Sequence, residues 1–295
     1  MMRRTAPVPD RCVGACQADA LRRETIAVGP YSVVERLILP HGSTAILKRT
    51  DASMFPAEAN ALTAAGRAGA PVPTLQATCT HADTAYLLME DLGPAIRPAD
   101  SSDTAYAAAR LHRYGAHTSH GDLLNETGLS ELPHRGTAAL DRIARKHPGK
   151  LDAIRRLLRQ IAERTPDRTA GAQLPPFGLC HGELHPSAVH VTASRVMLLD
   201  LAVAYTGPGL LDLAAHFGSN TQPQPAAMRH LIHQYVQAGG PTSATANRGG
   251  LTAEVWALGW HRVHSAIWHL ENHRSASDLT SAQHQLVNAL HYFTH

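Results

Sequence analysis

The sequence predicts an α+β fold with two lobes: a small β-rich amino-terminal lobe and a larger, mainly helical carboxyl-terminal lobe. In the first part of the chain, apolar and β-branched residues at 33–39 and 43–49 flank the turn His41-Gly42, which is typical of a β-hairpin. Beyond Pro94 the hydrophobic spacing changes to a helical period in seven stretches. The 295 residues are enough to form two lobes with separate cores.

The helical period is clearest in stretches rich in alanine, leucine and arginine. The predicted helices cover residues 105–117, 136–146, 151–163, 210–217, 226–238, 252–270 and 280–292. Trp256, Trp260 and His264 follow one another at four-residue intervals on the helix predicted at 252–270. This stripe either packs in the core or forms the floor of a pocket.

Composition and charge exclude several classes of function. The formal net charge is only +3, and no basic stripe with interleaved aromatic residues is present, so a nucleic-acid partner is not expected. No run of about eighteen apolar residues occurs, which argues against a membrane partner. The first residues, Met-Met-Arg-Arg-Thr-Ala-Pro-Val-Pro, have no apolar signal core. We therefore expect a cytoplasmic protein.

Lysine is rare in this chain, and one lysine lies in a predicted strand. The three lysines are Lys48, Lys146 and Lys150, and almost all other positive charge comes from arginine. Lys48 lies near the end of the apolar strand at 43–49, where a charged side chain is unusual without a partner. A candidate partner, Glu58, follows ten residues later.

Glu58 lies at the start of an alanine-rich segment that predicts a helix. Pro56 suits the first turn of this helix. A helix packed on the hairpin places Glu58 against Lys48, so we predict an ion pair between them. Either residue alone would be interpreted as an ordinary surface charge. Because further carboxylates follow in the chain, the pair is interpreted as part of a functional site.

Two carboxylates come close together in sequence between residues 181 and 200. Residues 181–186 read His-Gly-Glu-Leu-His-Pro, and a predicted short hairpin then delivers Asp200 seventeen residues after Glu183. Two acids at the mouth of a hairpin suit phosphoryl transfer. One acid can orient and deprotonate a hydroxyl, while the other holds the magnesium ion that bridges the nucleotide phosphates.

This stretch resembles the catalytic centre of the aminoglycoside phosphotransferase family, whose loop usually reads His-Gly-Asp-Leu-His-Pro-x-Asn. In this chain Glu183 stands in place of the aspartate and Ala188 in place of the asparagine. The resemblance spans roughly residues 25–219. It implies a bilobal protein-kinase-like fold that uses ATP and Mg²⁺ to phosphorylate a hydroxyl group.

The resemblance also implies a role for each matching residue. Lys48 would hold the nucleotide phosphates and Glu58 would orient Lys48. Asp200 would bind magnesium, and Glu183 would orient or deprotonate the acceptor hydroxyl.

Three further residues near the loop are expected to hold it in place. His181 is assigned to the catalytic group and His185 to its structural surroundings, although both histidines are expected to hydrogen-bond the loop rather than act as bases. Residues 207–214 read Gly-Pro-Gly-Leu-Leu-Asp-Leu-Ala, similar to a family motif whose aspartate ties down the loop backbone. Asp212 would have this structural role.

Two segments of the small lobe are candidates for nucleotide contacts. The strand at 86–92 breaks at Gly93-Pro94, which indicates a hinge where backbone groups between Glu90 and Leu92 contact an adenine. The turn from Gly29 to Ser32 could cover the phosphates, although it lacks a recognised glycine-rich motif and fits a plain hairpin turn almost as well.

These assignments divide the chain into three parts. Residues 1–20 are predicted to be a mobile tail and residues 21–93 a nucleotide-binding lobe. Residues 94–295 are predicted to be the helical lobe with the catalytic loop and the acceptor site. A second motif, His-Gly-Asp-Leu-Leu-Asn at 120–125, matches the family pattern but precedes no strand hairpin, so we interpret it as a loop.

Three functions remain open. The acceptor is either a small molecule, such as an aminoglycoside-like or other natural product, or a Ser/Thr side chain of a peptide during natural-product maturation. In the peptide case a partner lyase would remove the phosphate. The third hypothesis is a catalytically impaired pseudokinase that binds a peptide or a partner enzyme, because Ala188 offers no oxygen to a second metal ion.

Overall fold

The structure is a computed structural model that describes residues 22–53, 55, 57–115, 120–146, 151–219 and 221–294. The predicted tail at residues 1–20 lies outside the described residues. Pro56, which was predicted in the first turn of a helix, also lies outside them.

The amino-terminal lobe is built on a five-stranded antiparallel sheet with the strand order β1-β2-β3-β5-β4. Its strands are β1 (Arg22–Val28), β2 (Ser32–Ile38), β3 (Thr44–Asp51), β4 (Leu75–His81) and β5 (Thr84–Glu90). Lys48 lies on the central strand β3, directly opposite Val34 on β2 and Leu87 on β5. Directly opposite residues of an antiparallel pair share one face of the sheet, so Lys48 lies on the face that carries Leu87.

Helix α1 (Glu58–Arg67) covers this face of the sheet. Its buried residues Glu58, Ala61, Leu62 and Ala65 recur at helical spacing and form one stripe. Leu62 and Leu87 belong to the same hydrophobic cluster. The first turn of α1 is thereby held against the strand that carries Lys48.

The carboxyl-terminal lobe is mainly helical, and each of the seven predicted helical stretches contains a helix, although residues 116 and 117 of the first stretch lie outside the described residues. They are α2 (Ser101–Gly115), α3 (Glu126–Lys146), α4 (Asp152–Arg168), α5 (Leu210–Ala215), α6 (Pro225–Gln237), α7 (Ala253–Glu271) and α8 (Ala276–Thr294). Together with the sheet they confirm the bilobal α+β fold.

Helix α3 begins ten residues earlier than the predicted start at Gly136. Pro133 lies inside the helix, where it removes one backbone donor. The start of the helix is stabilised because Asn125 Oδ1 accepts the Gly128 N–H at 2.8 Å. Leu129 and Leu132 are fully buried, so tertiary burial outweighs the local cost of the proline.

Two short two-stranded sheets shape the centre of this lobe. Strands β7 (Val189–Val191) and β8 (Val196–Leu198) form the hairpin that the sequence predicts. Strands β6 (Phe177–Cys180) and β9 (Tyr205–Pro208) also pair. The β6–β9 pair was not predicted, because four-residue strands far apart in the chain have no recognisable local period.

Helix α7 runs through the middle of the helical lobe and is buried on most sides. Trp256 and Trp260 are fully buried, and both indole N–H groups donate to the Arg168 carbonyl, at 2.7 and 3.0 Å. For these two residues the core interpretation of the stripe is correct. Among the described helices, none combines the length and the apolar character that a membrane crossing requires.

Candidate active site

A cavity of about 1090 Å³ lies between the sheet and the helical lobe. Its lining combines strands β2, β3 and β5, the segment after β5, the loop at 181–188 and helix α7. It contains Lys48, Glu58, Glu183 and Asp200. The residues to which the sequence assigns phosphoryl-transfer roles therefore share one cavity, whose volume is near the upper end of the range for small-ligand sites.

Lys48 contacts two carboxylates at once. Its Nζ lies 2.6 Å from Glu58 Oε1, as predicted, and 2.8 Å from Asp200 Oδ1, which was not predicted. Burial on its own lowers the pKa of Lys48, but the two neighbouring carboxylates outweigh this effect and raise the pKa above its ordinary value of 10.5. Lys48 is therefore positively charged at the centre of the cavity.

Asp200 lies two residues beyond the last residue of strand β8 and has a left-handed backbone with φ of +63°. This conformation is uncommon outside glycine, although aspartate tolerates it better than most residues. It turns the chain sharply after the hairpin and brings the Asp200 carboxylate to Lys48. The side chain remains 51% exposed, towards the cavity.

Asp212 holds the loop that carries Glu183, as the family resemblance implies. The N–H groups of His181 and Gly182 donate to its two carboxylate oxygens at 2.6 and 2.8 Å. Gly182 has φ of +89°, and a Cβ at this position would come within 2.2 Å of the Val203 carbonyl oxygen. The loop therefore requires glycine here and follows one path between Asp212 and Val203.

His181 connects the loop to the end of strand β8. Its Nε2 lies 2.7 Å from the Leu199 carbonyl, so this nitrogen carries the proton, and its Nδ1 accepts the Glu183 N–H at 3.3 Å. Both ring nitrogens are used in positioning Glu183 and the residue before Asp200. His185 accepts from the Ser187 N–H with its Nδ1 at 3.4 Å, which supports the short 3₁₀ turn at Pro186–Ala188.

His112 and Tyr235 support Asp212 and were missed by the sequence analysis. His112 Nε2 lies 3.1 Å from Asp212 Oδ2, and its Nδ1 lies 3.1 Å from the Tyr235 hydroxyl. Both residues are buried. Burial on its own raises the pKa of Asp212, but His112 and the backbone N–H donors outweigh it and bring the pKa below 3.8. A histidine inside an alanine-rich helix was the one available signal.

Asp212→Asn is expected to destabilise the protein by about 3 kcal/mol, because two buried backbone donors and His112 lose a charged partner. The free energy of unfolding measured with urea at pH 7 tests this. Asp141→Asn, at an exposed ion pair on α3, is the matched control and should change it by less than about 0.5 kcal/mol. Equal stability of both variants would contradict the anchoring role of Asp212.

This contribution of Asp212 to stability should depend on pH in one direction. A carboxyl group with a lowered pKa in the folded state stabilises the protein above its unfolded pKa. The contribution is therefore complete at neutral pH and is lost as the pH falls through and below 3.8.

Glu183 faces the cavity from the loop at 181–186. The crowding of this carboxylate by the cavity walls, together with the charge of nearby Asp200, raises its pKa above the ordinary value of 4.5. A raised pKa brings a carboxylate closer to the range in which a general base works at neutral pH.

Ala188 lies where the related family has asparagine, and it offers no side-chain ligand to a metal ion. Its carbonyl accepts the Leu199 N–H at 2.8 Å and is used within the hairpin. Asp200 has a half-exposed carboxylate of which Lys48 uses Oδ1. The oxygen chemistry of Asp200 fits a hard divalent cation such as Mg²⁺, with waters completing its coordination.

The segment after β5 forms one end of the cavity. Glu90 and Leu92, which the sequence assigns to nucleotide contacts, both line it. The Glu90 N–H donates to the Thr74 carbonyl at 2.9 Å, whereas the Leu92 N–H makes no hydrogen bond with the described residues. Glu90 also binds Arg195 at 2.7 Å and so connects the hinge to the β7–β8 hairpin. The apolar residues at this end are Ile26, Val34, Ile46, Met89, Leu92 and Leu199.

Gly29 and Ser32 lie at the tip of the β1–β2 hairpin. The Gly29 N–H donates to the Ser32 carbonyl at 2.8 Å, which closes a hairpin turn. Neither residue lines the cavity, whose wall on these strands is formed by Ile26, Val34 and Arg36. A contact of this turn with nucleotide phosphates stays a prediction.

The motif at 120–125 is a loop, as interpreted from the sequence, but two of its residues form part of the cavity wall. Gly121 and Asp122 line the cavity on the side of the helical lobe. Asp122 binds Arg135 at 2.7 Å, and Arg135 also binds Glu271 at the end of α7. Asp122 therefore forms an ion pair in the cavity wall and lies apart from the contacts around Lys48.

Helix α7 supplies the opposite wall of the cavity. His261, His264, Ser265 and Trp268 line it. The His264 ring packs edge-on against Tyr205, with 4.9 Å between the ring centroids. Both interpretations of the predicted stripe therefore apply to part of it, because Trp256 and Trp260 lie in the core while His264 lines the cavity.

Comparisons with known proteins identify the family of this chain. A sequence model of the phosphotransferase enzyme family matches residues 32–247. No curated protein shows significant sequence similarity to the chain.

Solved structures show the same fold at low sequence identity. An aminoglycoside phosphotransferase from Alicyclobacillus acidocaldarius is 17% identical, with a TM-score of 0.59, over 99% of this chain and 96% of the other. Ethanolamine kinase from Plasmodium vivax is 11% identical, with a TM-score of 0.63, over 91% and 82%. An amicoumacin kinase in complex with AMP-PNP, Ca²⁺ and its ligand is 13% identical, with a TM-score of 0.57, over 96% and 94%.

The matched segment covers most of both lobes, from β2 to the residues before α7, and includes Lys48, Glu183, Asp200 and Asp212. The chain belongs to the phosphotransferase enzyme family.

Proposed function

We propose that the protein transfers the γ-phosphoryl group of ATP to a hydroxyl group of a small molecule. The observation that carries this proposal is the meeting of Lys48 with Glu58 and Asp200, in the cavity that also contains Glu183. A charged lysine held by a helix glutamate beside a metal-binding aspartate is the arrangement that phosphoryl transfer uses to position nucleotide phosphates.

The nucleotide would lie at the end of the cavity formed by the hinge. Apolar side chains from β2, β3 and β5 form a slot for a flat base, and the Leu92 N–H, which makes no hydrogen bond to any described residue, can donate to it. Lys48 would then contact the phosphates in the middle of the cavity. AMP-PNP bound to a kinase of the same fold supports this choice of nucleotide.

Each residue of the site has a distinct part in the proposed reaction. Asp200 would hold Mg²⁺, which when bound neutralises the charge on the phosphates. Glu183 orients the acceptor hydroxyl and takes its proton as the oxygen attacks the γ-phosphorus, while the bond from this phosphorus to the bridging oxygen breaks and ADP leaves. Asp212 and His181 keep the loop backbone fixed, so that Glu183 is placed before the acceptor binds.

Lys48→Met is expected to lower turnover by roughly 10²–10³-fold, the cost typical of removing one donor from a developing anionic centre. Methionine keeps most of the apolar stem. Without the ammonium group, the burial that raises the pKa of Glu58 favours its neutral form, so the fold should remain intact. Magnesium-ATP affinity by calorimetry and the rate of phosphate transfer are the measurements.

Arg156→Met, at an exposed position on α4, is the matched control for loss of a surface cation. It should leave both quantities unchanged. If a folded Lys48→Met variant binds magnesium-ATP and turns over like the native protein, Lys48 has no part in the nucleotide site.

A peptide acceptor and a pseudokinase are the alternatives. The second has a specific observation in its favour, because Ala188 cannot supply the metal ligand that the related loop carries. Phosphate transfer measured against hydroxylated small molecules and against Ser/Thr peptides, with magnesium-ATP binding measured in parallel, separates the three functions.

The proposed use of ATP also supports the cytoplasmic location expected from the sequence.

A further inference from the structure

The acceptor end of the cavity offers few free negative charges. Most charged residues of the lining are already paired, and the pairs are Arg36–Asp91, Lys48–Glu58, Lys48–Asp200, Glu90–Arg195 and Asp122–Arg135. Among the lining carboxylates of the described chain, Glu183 alone has no lysine or arginine partner. A polycationic acceptor needs several unpaired acids to replace its hydration, and this wall does not supply them.

Uncharged histidines take the place of acids on the α7 wall. Burial, together with nearby Arg262, lowers the pKa of His261 well below 6.5. Burial, together with nearby Arg135, lowers the pKa of His264 to about 4. At neutral pH each ring therefore presents one N–H donor and one nitrogen acceptor, which is the hydrogen-bonding pattern that a hydroxyl group matches.

His261 is the strongest indication of a ligand. It is 7% exposed, and its buried Nδ1 has no hydrogen-bond partner in the part of the chain that the structure describes. Its Nε2 also makes no hydrogen bond with the described residues, but it is not sealed from solvent, and the residue lines the cavity. Buried polar side chains normally have a partner, and Nε2 is the ring atom that a hydroxyl group of a molecule in the cavity can reach.

Aromatic and hydroxyl groups complete the same wall. Trp268 lies two helical turns beyond His261 on α7 and also lines the cavity, as does Ser265. An indole surface packs well against the apolar face of a sugar-like ring, while imidazole and hydroxyl groups bond to the substituents at its edge.

We propose that the acceptor is an uncharged polyhydroxylated ring, held by a hydrogen bond to His261 and packed against Trp268. This inference rests on the proposed phosphotransferase function and names its substrate class. It predicts a preference opposite to that of a site built for aminoglycosides.

Matched pairs of acceptors test the preference with the native protein. Phenyl β-glucoside and myo-inositol are the neutral probes, and phenyl β-glucosaminide and 2-deoxystreptamine are their amino counterparts. Phosphate transfer should be at least about tenfold more efficient, as kcat/KM, for the neutral member of each pair. A preference for the amino members, or transfer to neither neutral probe by a protein that binds magnesium-ATP, overturns the inference.

Variants of His261 test the contact itself. His261→Phe should raise the acceptor KM about tenfold, by loss of one buried hydrogen bond, and leave the ATP KM within about twofold. His261→Gln keeps a donor and an acceptor, so it should restore part of the affinity and serves if the phenylalanine variant fails to fold. His230→Phe, exposed on α6, is the control and should match the native protein.

A change in the ATP KM equal to the change in the acceptor KM would overturn the contact with His261. Trp268→Leu adds a readout that needs no turnover, since calorimetric binding of phenyl β-glucoside should weaken about tenfold. Unchanged binding of this probe would remove Trp268 from the site. Absence of magnesium-ATP binding in the native protein would instead reject the proposed phosphotransferase function.

Discussion

Glu183→Gln is expected to lower kcat by roughly 10²–10⁴-fold, the loss associated with a positioned general base. Glutamine keeps the shape of the side chain but cannot accept the proton of the acceptor hydroxyl. Binding of magnesium-ATP should be almost unchanged, because Lys48 and Asp200 remain in contact. Single-turnover kinetics and calorimetric nucleotide binding on the same preparation measure the two effects separately.

The pH profile gives a second readout of the same role. The base acts only when it is deprotonated, and the pKa of Glu183 is raised above 4.5. Activity of the native protein should therefore fall as the pH falls through this raised pKa. The residual activity of Glu183→Gln should lack this acidic limb. Glu131→Gln, exposed on α3, should retain both the rate and the limb.

Glu183→Asp tests how the extra methylene is used. If the longer side chain only displaces the carboxylate by about 1 Å, the aspartate variant should be as active as the native protein or more active. A native protein that binds ATP but transfers no phosphate, while Glu183→Asp combined with Ala188→Asn gains ATP hydrolysis, would show that the protein is a pseudokinase. Native activity that does not depend on Glu183 would contradict its role as the base.

Asp200→Asn is expected to abolish metal-dependent phosphoryl transfer, with a loss of at least about 10³-fold. The amide removes the charge that would hold Mg²⁺ and also weakens the contact with Lys48 Nζ, now 2.8 Å. Transfer rates over a magnesium titration, with nucleotide affinity measured with and without the metal, are the measurements. The magnesium dependence of nucleotide binding should disappear in the variant.

Asp122→Asn provides the sharpest comparison for Asp200. The two aspartates occur in similar motifs, but Asp122 pairs with Arg135 in the wall of the cavity, away from Lys48. The Asp122 variant should keep its magnesium dependence and most of its turnover. If instead Asp122→Asn removes the magnesium dependence and Asp200→Asn does not, the catalytic loop has been placed on the wrong motif.

The sequence alone was enough for the fold class and for the group of charged residues that meet in the cavity around Lys48. Strands and helices follow from local hydrophobic periods, and the change from one period to the other at Pro94 marks the bilobal plan. Lys48, Glu58, Glu183 and Asp200 could be found because each occurs in a short pattern whose residue order is itself informative.

Only the tertiary structure decided which residues meet across long distances in the chain. The second partner of Lys48, 152 residues away at Asp200, depends on a left-handed turn that no periodic pattern reveals. His112 and Tyr235 lie on separate helices and support Asp212 only because those helices pack together. The choice between core and pocket for the stripe on α7 was likewise left open by the sequence. Trp256 and His264 look equivalent in the sequence, and their separation into core and cavity depends on how the rest of the chain surrounds α7.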